Sequence, residues 1–131
     1  MRRALAALAT VASILASASD AGAHARLVAS SPRAGSRLAA SPPAIELWFD
    51  EVLDAGFHEV TVVSAGAPST GAASRARAVA VDPNDGTHLV APIEPLGDGA
   101  WVVLWRVLSR DGHGARGRFE FRVAPAPGGD R

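Results

Sequence analysis

The chain of 131 residues has no cysteine, no lysine and no tyrosine, and its single methionine is Met1. Without cysteine, disulfides, thiolate metal centres and thiol catalysis are excluded together. Without sulfur beyond residue 1, a soft metal finds no thioether ligand. Every basic residue is arginine, and 13 basic residues balance 13 acidic ones. No clustered basic excess remains for a nucleic-acid footprint, so nucleic acid is not an expected partner. Aromatic residues make up 5% of the chain, four Phe and three Trp, and without disulfides the domain must rest on an ordinary packed core. The N-terminal apolar run, Ala4 to Ala16, is 13 residues long and contains Thr10 and Ser13. It is too short to span a bilayer.

What is present gives that run a meaning. Arg2 and Arg3 precede it, and Ala21-Gly22-Ala23 follows with small residues at the −3 and −1 positions read by signal peptidase. Residues 1–23 are read as a cleavable signal peptide, 24–124 as a single mature domain, and 125–131 as a flexible Ala/Pro/Gly tail. The run carries no cysteine after it, so lipid attachment there is excluded and the mature protein is expected in the periplasm. Cleavage leaves 108 residues with 11 basic and 12 acidic side chains, enough for one domain with a single core. It also leaves His24 at a free N-terminus. There one residue supplies an amine and an imidazole nitrogen, which together can close a chelate ring on a metal.

The mature sequence reads as short strands punctuated by Pro, Gly, Asn and Asp. Ile45, Leu47 and Phe49 alternate with Glu46, Trp48 and Asp50, the period of a half-buried strand. Leu27–Ser30 precedes it, and the β-branched segment Glu59–Val63 follows and runs into an Ala/Gly/Ser/Thr loop from Ser64 to Ser74. Ala78–Val81 and His88–Ala91 flank Asp82-Pro83-Asn84-Asp85-Gly86, a strong turn signal. Gly99–Leu108 puts Trp101, Val103, Trp105 and Val107 on one face, with the two tryptophans expected in the core. Phe119, Phe121 and Val123 close the series. Seven strands without an amphipathic helix predict an all-β, seven-stranded antiparallel β-sandwich of immunoglobulin-like (Greek key) type.

Four histidines remain in the mature chain: His24, His58, His88 and His113. His88 is expected to be packed on its strand and His58 exposed. His113 lies in the connection Ser109-Arg110-Asp111-Gly112-His113-Gly114, two residues after Asp111, so both side chains can project to one side. With His24 they form a set of three nitrogens and one oxygen, which suits a tetragonal Cu(II) centre. Asp111-Gly112 reads equally as a plain hairpin turn.

The combination resembles the CopC family of exported copper-binding proteins over essentially the whole mature length. His24-Ala25-Arg26-Leu27-Val28-Ala29-Ser30-Ser31-Pro32 resembles the family's opening His-x-x-Leu-x-x-Ser-x-Pro. Ile45-Glu46-Leu47-Trp48-Phe49-Asp50-Glu51 resembles its second strand, and Trp105 through His113, with Gly117 through Val123, its most distinctive block. The resemblance implies a seven-stranded sandwich and assigns one Cu(II) per chain to His24, Asp111 and His113. Glu51 aligns with an acidic residue near copper in some members and stands as a further metal candidate. Arg106 and Arg116 are candidates for orienting Asp111 by hydrogen bonding. Some members hold Cu(I) in a methionine-rich loop; the matching region here, Ser64 to Arg77, has no methionine, so no Cu(I) site is expected.

The expected role is that of a monomeric, non-catalytic copper carrier or buffer in copper homeostasis or resistance. The resemblance also implies an inner-membrane partner of the CopD type. No transmembrane helix follows Val123, so that partner is expected to be a separate chain. Two other classes remain open on sequence: an oxidative copper enzyme with a histidine brace, and a metal-free interaction module of the same fold.

Overall fold

Alternation of apolar and polar residues sorts the chain into two facing sheets. The computed structural model describes residues 25–67 and 73–125. The expected signal peptide, His24, residues 68–72 of the Ala/Gly/Ser/Thr stretch, and the tail from residue 126 lie outside the described residues. The strands are β1 (Leu27–Ser31), β2 (Arg37–Leu38), β3 (Ala44–Phe49), β4 (Glu59–Ser64), β5 (Ala80–Asp82), β6 (Asp85–Pro92), β7 (Gly99–Leu108) and β8 (Gly114–Val123). One sheet has the order β1-β3-β6-β5 and the other β2-β8-β7-β4. There is no helix among the described residues, and hence none long and apolar enough to cross a membrane.

The described strands number eight rather than seven. The addition is β2, which pairs parallel with the end of β8 through Arg37↔Arg122 and Leu38↔Val123, whereas the other strand pairs are antiparallel. Two residues carry no readable period, so its existence is set by the strand it meets. The last strand also starts at Gly114, well before Phe119. Its first half alternates exposed Gly114, Arg116 and Arg118 with half-buried Ala115 and Gly117. That half has no large apolar side chain to betray it.

The inward faces meet in one core. Ile45, Leu47, Val62, Leu89, Val103 and Val107 are shut off from solvent, each contributing about 1.5–3 kcal/mol by burial. Trp101 and Trp105 are both buried, as expected, and Phe49 meets Trp105 edge-on at a ring separation of 5.2 Å. Trp105 lies against Gly117, its direct partner across β7 and β8. A Cβ at 117 would collide with Trp105 Cζ2 and stand only 2.7 Å from Cε2. That glycine is needed for room, not for backbone conformation.

Candidate metal centre

The β7–β8 connection is a tight turn built around Asp111. Ser109 donates its N–H to the His113 carbonyl (2.9 Å), and Gly112 donates its N–H to the Ser109 carbonyl (2.9 Å). Gly112 has φ of 93°, the left-handed region that a side chain resists. Asp111 Oδ1 then accepts from three donors: the Ser109 hydroxyl, the His113 N–H at 3.2 Å and His113 Nδ1 at 3.1 Å. The Ser109 hydroxyl, followed by the His113 ring and N–H, holds the Asp111 carboxyl below its usual value of 3.8. The result is an ionised carboxylate and an imidazole fixed side by side, each about half exposed, at the tip of the longest hairpin.

Two other segments converge on this rim. Leu53 bridges to Ser109, Asp54 donates its N–H to the Leu108 carbonyl (2.9 Å), and Arg110 donates its N–H to the Val52 carbonyl (3.0 Å). These bonds lay residues 52–54 along the base of the turn and bury Ser109 to 1% exposure. Glu51 immediately precedes them. It sits in a bend after β3 has ended at Phe49, is half-buried, and makes no hydrogen bond or ion pair with the described residues. Asp50, in turn, ties down the start of the chain: its Oδ1 accepts from the Arg26 N–H at 2.7 Å, and its own N–H donates to the Arg26 carbonyl at 3.0 Å. Ala25 is buried at 3% exposure. The residue preceding it, His24, lies outside the described residues, but its neighbours are anchored to the segment that runs on through Glu51 to the turn.

Of the expected metal residues, the structure therefore brings Asp111 and His113 into contact and puts Glu51 on the adjoining strap. No group of three or more His, Cys, Asp or Glu side chains arranged to hold a metal occurs among the described residues. The orienting role expected of Arg106 and Arg116 falls to Ser109 instead. Strand alternation throws both arginines onto the outer face of their sheet, and neither bonds to Asp111. Ser109 and Asp50 were the residues that sequence reading missed. The available signals were Ser-x-Asp, a pattern for a side chain closing its own turn, and the acid next to Glu51.

The other histidines are occupied. His58, expected to be exposed, is half-buried: its Nδ1 accepts from the Leu108 N–H at 3.2 Å, so Nε2 is the nitrogen that donates to the Asp54 carbonyl at 2.7 Å. His88 is packed as expected. It stacks on Trp48 with ring centroids 4.4 Å apart and reaches Asp82 through Nδ1 and Glu46 through Nε2, both at 3.0 Å. Both therefore serve the scaffold.

Two packed sheets, with no helix among the described residues, are the fold that this chain shares with small copper-resistance proteins. The chain belongs to the CopC family: residues 27–124 match the CopC domain. It is 37% identical over 105 residues to Copper resistance protein C of Pseudomonas syringae pv. tomato, an alignment covering 77% of this chain and 81% of that protein. The fold is similar to that of CopC from Methylosinus trichosporium OB3b, with a TM-score of 0.66, 30% identity, and coverage of 80% of this chain and 98% of that one. It is also similar to PcoC, a methionine-rich copper resistance protein from Escherichia coli, with a TM-score of 0.65, 34% identity and coverage of 77% and 99%.

Proposed function

We propose that this protein is an exported carrier or buffer of Cu(II), holding one ion at the rim where the β7–β8 turn, residues 50–54 and the chain leading from His24 meet. In this reading residues 1–23 are removed on export to the periplasm, residues 24–124 form the working domain, and residues 125–131 are a tail. Copper is bound by the amine and imidazole of His24, by Asp111 and by His113, with Glu51 as a further candidate. The observation that carries the reading is the Asp111–His113 pair, fixed by Ser109, in a chain of the CopC family.

The local chemistry is consistent with this. With Nδ1 turned to Asp111, the His113 proton belongs on Nδ1 and Nε2 is the nitrogen that takes the metal. Asp111 Oδ1 is engaged by its three donors, which leaves Oδ2 as its metal-facing oxygen. Glu51, with no partner among the described residues, gains one from a cation at this rim. The E. coli relative is described as methionine rich, whereas this chain has no methionine after Met1, so the reading includes no Cu(I) thioether site. The protein acts as a monomer without catalysis, exchanging copper with a separate membrane protein of the CopD type.

The test is electron paramagnetic resonance of the protein beginning at His24, loaded with one equivalent of Cu(II). A single tetragonal signal is expected. His113→Ala should abolish it while leaving the apoprotein's melting unchanged, because residue 113 is exposed and flanked by glycines. A His113→Ala protein with the same copper signal and affinity would refute the assignment.

A further inference from the structure

The outer face of the second sheet carries a cluster of arginines, only partly balanced by carboxylates, that the copper reading does not use. Arg106 on β7 stands directly opposite Arg116 on β8, and Arg118 lies opposite Leu104. Like charges facing each other across a strand pair cost stability, so the sheet gains nothing from this arrangement by itself. Glu59 on β4 pairs in register with Arg106, yet neither Arg106 nor Arg116 forms an ion pair among the described residues. Arg118 is the one that finds a carboxylate, Glu120 at 3.4 Å. The three arginines border a depression of about 520 Å³ that is also lined by Glu59, Thr61, Leu104, Trp105 and Gly117. Leu104 is 41% exposed.

A second exposed apolar group stands in the chain just ahead of β4. Phe57 is 86% exposed, the most exposed of the large apolar side chains described. It adopts φ of 63°, a conformation that bulky residues avoid. Its neighbour His58 pins it there through bonds to the Leu108 N–H and the Asp54 carbonyl. The chain thus holds an aromatic side chain in solvent two residues ahead of Glu59, whose strand partner is Arg106. Arginine and exposed aromatics are the residue types that dominate protein–protein binding energy.

We infer that this face is a docking surface for an acidic, partly apolar polypeptide segment of a partner protein. Each guanidinium presents paired N–H donors that match a carboxylate. Leu104, which lines the depression, supplies apolar contact, and the exposed Phe57 lies two residues ahead of Glu59 in the chain. A bilayer surface or a nucleic acid would need an uninterrupted basic field, whereas here Glu59 lines the depression and Glu120 neutralises Arg118. The Arg106↔Arg116 pair is separated from the Leu108↔Gly114 pair at the turn only by Val107↔Ala115. Docking itself needs no metal.

The test uses isotope-labelled, metal-free protein in chelator, so that its outcome does not depend on the copper ligands. It is titrated by NMR with the capped peptide Glu-Leu-Asp-Asp-Leu-Glu. Saturable shifts should localise to the amides of Phe57, Leu104, Arg106 and Arg116 and weaken with salt. Arg106→Glu/Arg116→Glu should reduce affinity by at least about tenfold while keeping the dispersed amide spectrum of the folded protein, since both positions are exposed on the outer face. Arg33→Glu/Arg77→Glu, which changes net charge equally on other exposed positions, should leave affinity within about twofold. Equal losses in both double variants, or no saturable shift in the parent protein, would overturn the proposal. So would binding to phosphatidylglycerol vesicles, lost in Arg106→Glu/Arg116→Glu, in place of peptide binding.

Discussion

Replacing Ser109 by alanine should weaken copper binding without touching a proposed ligand. The hydroxyl is buried at 1% exposure and donates toward Asp111 Oδ1, with the His113 carbonyl 3.0 Å away. Its loss removes the largest influence holding the Asp111 carboxyl below 3.8, so that value should rise toward the ordinary one. The group stays ionised at neutral pH, and the defect is therefore one of position rather than charge. Two of the three donors that fix Oδ1 remain, and both come from His113, so carboxylate and imidazole lose their common anchor. Partners that orient metal ligands typically matter by about 10–100-fold in affinity, and a loss in that range is expected here. Competitive titration of Cu(II) against a chelator at neutral pH measures it. The turn should survive, because the Ser109–His113 and Gly112–Ser109 backbone bonds and the Leu53 bridge do not involve the hydroxyl. Apoprotein melting should fall by no more than about 5 °C. Unchanged affinity in a folded Ser109→Ala protein would show that the hydroxyl merely closes the turn.

Two further outcomes follow from the scaffold. Gly117→Ala forces a Cβ into Trp105, which is already braced against Phe49, so overpacking should cost about 1–3 kcal/mol and calorimetry should show a clear fall in melting temperature; an unchanged or raised value would contradict the packing described. Asp82 is held below 3.8 by the Asn84 N–H and then by His88, and Asp85 by the Thr87 hydroxyl and N–H. Carboxylates lowered by folding stabilise the native state above their unfolded value and lose that contribution as pH falls through the lowered one. Asp82→Asn and Asp85→Asn should therefore melt below the parent at neutral pH, with the gap closing as pH drops beneath about 4; a gap that widens on acidification would reverse the sign of the argument.

The strands that bury one face were legible from sequence. Ile45, Leu47 and Phe49, like Val103, Trp105 and Val107, alternate because only one side of each strand meets the core. β2 was not legible, since two residues acquire their strand character from Arg122 and Val123, far along the chain. The first half of β8 was hidden because its inward positions are Ala115 and Gly117, the latter small so that Trp105 can lie across it. At the candidate site, the two-residue spacing of Asp111 and His113 disclosed the pair. What holds them was carried only by the Ser-x-Asp spacing, and the burial of Ser109 beside Leu53 depends on a segment more than fifty positions away. Arg106 and Arg116 looked suitable by proximity in sequence, but strand alternation sends them to the opposite face. The engagement of His58 likewise depends on a backbone N–H at Leu108, fifty positions away.

The central claim joins the N-terminus to the β7–β8 turn, and one comparison tests it most directly. Cu(II) spectra and affinities are measured for the protein beginning at His24 and for the same chain with one residue retained ahead of it. A free amine ligand must give up its proton, with a reference pKa of about 7.7–8.0, and becomes a non-basic amide once another residue precedes it. The extended protein should fold normally, because Ala25 and Arg26 keep their anchorage to the core and to Asp50. It should bind Cu(II) far more weakly and with a different spectrum, and only the processed protein should lose affinity steeply as pH falls from about 8 toward 5. Identical spectra and equal affinities for the two proteins would contradict the account, showing that His24 does not complete the site.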